Sequence, residues 1–293
     1  METGRLHARR VLMDDGQMLT QAEKAQAFRA LHQREGAFII PNPWDAGTAR
    51  LLANLGFEAL ASTSAGFAFS MGREDYKVGR EAMMMHIAEL ASATSLPVSA
   101  DLENGFGDEP EAAAETIHMA AAAGVVGGSI EDATGRAESP IYDLALAAER
   151  ACAAAEAARA LSFPFTLTAR AENYLVGRTD IHDTIRRLQA YQEAGADVLY
   201  APGLTSQEDI AAVVSSLDRP VNVLAGVAGM QLGVAELSAL GVKRISVGGS
   251  LMRTALGAFL RAAREMRDQG TFNFTRDAVS YADLSAIFKE CDR

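Results

Sequence analysis

The residues best suited to chemistry are acidic, and they fall in two short segments. Asp101 and Glu103 stand two apart in Asp101-Leu102-Glu103-Asn104-Gly105, and Glu131 ends an apolar run in Ser129-Ile130-Glu131-Asp132. On a strand, side chains two apart face the same way, so Asp101 and Glu103 are expected to share a face. Three carboxylates brought into one mouth repel unless protonated or neutralised by a cation. The set offers oxygen donors only, which predicts a hard divalent ion, Mg²⁺ or Mn²⁺, held partly through water. Arg170, in Thr168-Ala169-Arg170-Ala171-Glu172, is then free to clamp a substrate carboxylate with both arms of its guanidinium. Thr63 and Ser64, in a turn of small residues, offer hydroxyls and backbone N–H groups to a second anionic end.

Such a convergence needs strands whose ends open on one side. Two junction types recur along the chain. Helical stretches end in Gly before an apolar run at Leu55-Gly56-Phe57, Ala123-Gly124-Val125, Ala194-Gly195-Ala196 and Leu240-Gly241-Val242. Pro opens an apolar run at Leu96-Pro97-Val98, Phe163-Pro164-Phe165 and Arg219-Pro220-Val221. Gly suits the left-handed position after a helix, and Pro is tolerated as the first residue of a strand. The two types alternate strictly. With the earlier run Ala37-Phe38-Ile39-Ile40 they predict eight strands, near 37–40, 57–62, 97–101, 125–130, 164–169, 197–201, 220–225 and 243–247. The intervals hold a helix each, so the units are right-handed parallel βαβ crossovers, and eight of them imply an α/β fold, a (β/α)8 TIM barrel. An open doubly wound sheet is disfavoured because no G-x-G-x-x-G follows the first strand. The acidic and basic residues fall at strand ends, the strand interiors being read as apolar. Active sites of such barrels lie at that end. Residues 1–20 are expected to form an N-terminal extension and 21–270 the catalytic barrel with a capping helix at its base. Residues 271–293 are expected to form a helical arm packed on the barrel or on a neighbouring subunit.

The chain has 293 residues, a formal charge of −11 and 49% hydrophobic residues. This composition fits a globular core, and the acidic balance argues against nucleic acid or an anionic membrane as partner. Two cysteines, Cys152 and Cys291, cannot build a disulfide framework. No apolar run approaches a membrane span and no apolar leader follows the N-terminal basic residues, so the cytoplasm is the expected compartment. The five histidines (7, 32, 86, 118 and 182) fall in helices or in the N-terminal extension. A His general base is therefore not expected. The Gly248-Gly249-Ser250 turn is read as a tight turn opening the last barrel helix rather than as a phosphate cradle.

These segments resemble the isocitrate lyase / phosphoenolpyruvate mutase superfamily over roughly residues 25–270. The resemblance is carried by Pro41-Asn42-Pro43-Trp44-Asp45, Asp101-x-Glu103-x-Gly105-Phe106-Gly107, Ile130-Glu131-Asp132, Ala169-Arg170-Ala171-Glu172 and Ala190-Tyr191-x-Glu193-Ala194-Gly195-Ala196-Asp197. It implies Mg²⁺ held by Asp101, Glu103 and Glu131, with Asp101 also counted among the catalytic residues. It implies Arg170 beside the reacting oxo acid and Asp75 on a mobile loop. Thr63, Ser64 and Ala65 would bind the substrate carboxylate, with Trp44 and Asn222 lining the pocket. Asp75 or Glu172 would serve as acid or base. It further implies a homodimer or homotetramer that exchanges C-terminal helices.

The chain also departs from the pattern. Isocitrate and methylisocitrate lyases carry a Lys-(Lys/Arg)-Cys-Gly-His loop after the fourth strand, where this chain reads Ala133-Thr134-Gly135-Arg136-Ala137-Glu138-Ser139. Phosphonopyruvate-handling members carry a Lys- and Asn-containing loop there and a His after strand six, where this chain reads Tyr200-Ala201-Pro202-Gly203. The resemblance thus implies a Mg²⁺-dependent lyase or decarboxylase acting on a small, oxaloacetate-like 2-oxo acid through an enolpyruvate-type intermediate. C–P bond chemistry of the phosphonomutase kind, or a catalytically reduced barrel that binds a dicarboxylate, are the alternatives.

Overall fold

A computed structural model describes residues 19–291. The expected N-terminal extension lies outside the described residues except for its last two. Helix α1 (Gln21–Gln33) starts at Thr20, whose hydroxyl accepts the Glu23 N–H while the Glu23 carboxylate returns to the Thr20 N–H, a reciprocal capping box. Its buried face (Ala25, Phe28, Leu31) packs with Phe38, Ala59 and Val126 and closes the base.

Eight strands follow in the predicted places: β1 (Phe38–Ile40), β2 (Leu60–Ala61), β3 (Val98–Asp101), β4 (Gly127–Glu131), β5 (Thr166–Arg170), β6 (Val198–Tyr200), β7 (Val221–Leu224) and β8 (Arg244–Ser246). Every ladder is parallel, and β1 pairs with β8, so the sheet curls into a (β/α)8 TIM barrel. β1 and β2 share no ladder. They meet through one backbone bond, Ala61 N–H to the Pro41 carbonyl (3.1 Å), and through Asn42, whose amide donates to the Ser62 carbonyl (2.9 Å).

The outer helices are α2 (Ala46–Asn54), α3 (Ser64–Ser70), α4 (Arg80–Ser92), α5 (Pro110–Ala122), α6 (Leu144–Arg159), α7 (Ile181–Ala194), α8 (Gln207–Ser215), α9 (Val234–Ala239) and α10 (Ser250–Gln269). The Gly junctions behave as read. Gly195 (φ 108°) ends α7, its N–H bonding back to the last turn, where a side chain would be strained. Leu167, Ala169, Leu199, Val221, Val223 and Ile245 face the helices and form the core between layers.

The reading of the strand interiors as apolar needs correction. It holds throughout for the helix-facing side chains. The alternate positions, which face the lumen, include the polar Ser99, Ser129, Thr168, Asn222, Arg244 and Ser246 beside the apolar Ile40 and Val198, all buried. Strands of two to five residues give the inner face one to three positions each, so flanking apolar residues mask the polar ones.

The Gly248-Gly249-Ser250 turn serves structure. The Val247 and Gly248 N–H groups donate to Asn42 Oδ1 (both 2.9 Å), and Ser250 Oγ donates to the Gly226 carbonyl (2.8 Å). Beyond α10 come a 3-10 turn (Asn273–Asp277) and α11 (Tyr281–Cys291), which lies against α2. There Asn54 Nδ2 donates to Glu290 (3.2 Å) and Cys291 Sγ to the Arg50 carbonyl (3.7 Å). Among the described residues no helix is long and apolar enough to cross a membrane.

Candidate active site

The strand register sets the site. Glu131 on β4 lies beside Arg170 on β5, Arg170 beside Tyr200 on β6, and Tyr200 beside Asn222 on β7. These residues, with Asp101, Asp75, Glu172 and the turn Thr63–Ala65, line a cavity of about 550 Å³ at the C-terminal ends of the strands. The segment after β4 forms part of its wall through Gly135, Arg136 and Ala137. It is held by an Ala133–Ile141 bridge and by an Arg136–Asp108 ion pair (2.9 Å).

Arg170 is the hub. Its guanidinium reaches Asp101 Oδ1 (3.0 Å) and Glu131 Oε2 (2.9 Å) through Nη1, and Glu172 Oε1 (2.8 Å) through Nε. Its cationic carbon lies 5.2 Å from the Tyr200 ring centroid. This corrects the expectation that Arg170 is free: a buried cation beside three carboxylates pairs with them. Ser64 is likewise engaged, since its N–H and hydroxyl both donate to Asp101 Oδ2 (3.0 Å each). Thr63 caps α3, its hydroxyl accepting the Gly66 N–H at 3.2 Å.

Glu103 departs furthest from the sequence argument. β3 ends at Asp101, and Glu103 lies in the turn beyond with φ 48°, so strand alternation does not place it. It lines a neighbouring polar cavity with Lys77, Arg80 and Asn104, and Tyr76 and Gly135 border both cavities. Glu103 is 4% exposed and its Oε1 has no hydrogen-bond partner. Tyr76, also at positive φ (61°), donates its hydroxyl to Glu131 Oε1. Among the described residues no three acidic, His or Cys side chains are grouped closely enough to hold a metal as they stand. Asp101 and Glu131 meet at Arg170, and Glu103 points elsewhere.

The electrostatics nevertheless suit a divalent cation. Burial, then the charges of Asp101 and Asp75, push Glu103 up to about 8. Burial raises Glu172 to about 7, and burial with the charge of Asp101 raises Asp75 to about 6. Burial also holds Glu131 well above the usual carboxylate range. A mouth so rich in oxygen donors, with the unpaired Glu103 Oε1 in the adjoining cavity, fits Mg²⁺ or Mn²⁺ by donor chemistry.

The other predicted residues divide. Ala65 and Asn222 line the cavity, but Asn222 is committed to neighbours, donating to Ser246 Oγ and accepting from Arg244 Nε (both 2.9 Å). Trp44 does not line it. It packs behind the Thr63–Gly66 turn, and its motif neighbour Asn42 reaches the cavity instead.

Several residues were missed. Asp132 is buried behind the mouth and accepts from Arg187 Nη1 (3.0 Å), the Tyr191 hydroxyl (2.6 Å) and the Glu172 N–H (2.8 Å). Arg244 was detectable as a charge inside a predicted strand. Tyr76 was not, because nothing in a sequence marks a tyrosine held at positive φ.

The sequence model of the phosphoenolpyruvate phosphomutase family matches residues 28–267. A solved structure from Burkholderia cenocepacia J2315, provisionally described as a lyase/mutase, shares 66% identity at a TM-score of 0.90, covering 92% of this chain and 96% of that one. An oxaloacetate decarboxylase of Chromohalobacter salexigens is 25% identical over 90% of this chain and 93% of its own. An oxaloacetate acetylhydrolase, solved with its product oxalate, is 26% identical at a TM-score of 0.81, covering 92% and 94%. The family match spans the strands, the acidic mouth and Arg170 together, and the chain belongs to the phosphoenolpyruvate phosphomutase family, within the isocitrate lyase / phosphoenolpyruvate mutase superfamily of lyases and mutases.

Proposed function

We propose that the protein is a Mg²⁺-dependent lyase or decarboxylase that cleaves a C–C bond of an oxaloacetate-like 2-oxo acid. The observation that carries this is the cavity's chemistry: four lining carboxylates, three of them paired with Arg170, with no His or Cys among the described lining residues. Loss of CO₂ from such an acid needs an electron sink and a later proton but no strong base or nucleophile. The kinship with enzymes named for oxaloacetate decarboxylation and hydrolysis supports the same substrate type.

Asp101, Glu103 and Glu131 would hold Mg²⁺ or Mn²⁺, which when bound supplies Lewis-acid stabilisation of negative charge on an oxo-acid oxygen. Arg170 turns from its carboxylates toward the substrate and stabilises the same developing charge, an oriented donor of this kind contributing about 3 kcal/mol. The C3–C4 bond breaks, its electron pair enters the enolate, and CO₂ departs. Glu172, raised to about 7, still carries a proton in a large share of molecules at neutrality and delivers it to C3, whereas Asp75, raised to about 6, is mostly ionised there and takes that role only at lower pH. Ser64 keeps Asp101 oriented throughout.

The test is an NMR turnover assay on oxaloacetate, phosphonopyruvate, methylisocitrate and a 4-hydroxy-2-oxo acid, each with Mg²⁺ or with EDTA. Pyruvate from oxaloacetate, with Mg²⁺ only, is expected. Turnover of phosphonopyruvate alone would replace this reading with C–P chemistry, and silence on all four beside dicarboxylate-induced thermal stabilisation would leave a binding barrel.

For assembly we propose a homodimer or homotetramer in the cytoplasm. α10 buries only Met252 among its side chains, and Phe259, Phe272 and Tyr281 are exposed. Large apolar side chains left exposed along one C-terminal segment suit a contact surface. Sedimentation velocity is expected to show a species of at least twice 31.1 kDa, and a monomer at micromolar concentration would refute this.

A further inference from the structure

Beneath the acidic mouth, the same cavity reaches a cation that the reaction above does not use. Arg244 opens β8, faces the lumen and is 5% exposed. Its Nε donates to Asn222 Oδ1 (2.9 Å), and Asn222 is fixed in turn by Ser246 (2.9 Å). Nη1 has no partner. Among the described residues no carboxylate pairs with Arg244, and the Arg170 charge repels it. The contrast with Arg170 decides the argument. Both guanidiniums are buried in one cavity, yet Arg170 has three carboxylates and Arg244 has none. Burying an uncompensated charge is strongly unfavourable, and here the fold supplies no counter-ion. Burial pulls the Arg244 pKa down to about 10, against an opposing pull from Tyr200 and with a smaller repulsion from Arg170, which still leaves it cationic at neutrality. The surrounding wall is made of hydroxyls and an amide (Ser99, Ser129, Asn222, Ser246) where barrel interiors hold bulky branched residues, so an oxygen-rich group is accommodated there.

We propose that Arg244, oriented by Asn222, anchors the second carboxylate of the substrate and thereby selects dicarboxylic over monocarboxylic 2-oxo acids. This deepens the lyase reading and rests on it for the 2-oxo acid head group. The ligand's head group meets the mouth, and its far carboxylate descends to the lumen wall and supplies the missing counter-ion. A charge-assisted contact of this kind corresponds to an affinity gain of about ten- to a hundredfold.

The experiment is calorimetric binding, in Mg²⁺ buffer, of pyruvate and of 3,3-difluorooxaloacetate, which both carry a 2-oxo acid head group and differ in the second carboxylate and in two fluorines, so the decisive reading is how the preference changes between wild type and variant. Wild type is expected to favour the dicarboxylate by about ten- to a hundredfold. Arg244→Met is expected to erase that preference while leaving pyruvate affinity within about twofold, and Arg244→Lys to restore part of it. The ligand-free Arg244→Met protein is expected to melt no lower than wild type, because an unpaired buried charge has been removed. Equal weakening of both ligands, or of neither, overturns the proposal. So does stabilisation of wild type by formate alone that is lost in Arg244→Met while the dicarboxylate preference persists, since the lumen then holds a free oxyanion. If Arg244→Met fails to fold, Arg244→Lys decides: an unchanged preference ratio overturns the proposal, and a reduced one supports it. Because binding is read without turnover, a protein that shows the preference and converts nothing sinks the lyase reading alone, and one that decarboxylates oxaloacetate with no Arg244-dependent preference sinks this proposal alone.

Discussion

Glu103→Gln is expected to lower Mg²⁺-dependent turnover by more than about 100-fold, which already exceeds the loss typical of an outer-shell partner, and to make the metal-free protein more heat-stable at alkaline pH. The second half follows from linkage. Glu103 is held up to about 8 in the folded chain against an ordinary value of 4.5. Between those values the folded state keeps a proton that the unfolded chain releases. The stabilisation is complete below 4.5 and is lost as pH rises through about 8. Glutamine reproduces the protonated form at every pH. Melting temperatures in EDTA should therefore diverge from pH 5 to pH 9, with wild type falling relative to the variant, and added Mg²⁺ should raise wild type only. A variant that keeps its turnover, or that melts in parallel with wild type across this range, would remove Glu103 from the metal set.

The second large effect is structural. Asp132→Ala is expected to cost about 3–5 kcal/mol, the range for breaking a buried ion pair by deleting one partner. Arg187, 5% exposed, would keep only its less buried ionic partner Asp183 (3.0 Å), and the Tyr191 hydroxyl and the Glu172 N–H would lose their acceptor. In a chain of this size that corresponds to a fall of on the order of 10 °C in Tm. Pairing Asp132→Leu with Arg187→Met should recover most of the loss, since an apolar pair can replace a buried ionic one. If the double variant melts as low as Asp132→Ala, the ion pair is not the source of the effect. Asp132 also fixes the backbone at Glu172, so the single variant should lose activity at temperatures where it remains folded.

These cases mark what a reader of the chain can and cannot see. The barrel was legible because Gly and Pro punctuate it: each junction type has a local backbone cause, and seven of them in alternation leave few topologies. The acidic residues at the strand ends were legible for the same reason, as charges interrupting apolar runs. Their partners were not. Arg170 looked free because an isolated motif does not show three carboxylates from β3, β4 and the end of β5 converging on it. Glu103 was assigned to the site by strand periodicity, yet the strand had already ended and a left-handed turn positions it. Asp132 passed as part of a motif because its partners, Arg187 and Tyr191, lie more than fifty residues away on α7. Arg244 was overlooked because an apolar reading of short strands averages away the side that faces the lumen.

The missing ladder between β1 and β2 has a mechanical consequence. A tube slit along its length resists shear and torsion far less than an intact one, and its compliance is concentrated at the slit. Here the stiff arc is β3 to β5, whose strands are zipped in register along their length and carry Asp101, Glu131 and Arg170. The compliant sector is clasped by one backbone hydrogen bond and by the Asn42 amide, which spans from Ser62 to the end of β8. That sector carries the Thr63–Ala65 turn. The groups that must keep ångström tolerances thus ride on the rigid arc, and the wall that must admit a ligand rides on the clasp.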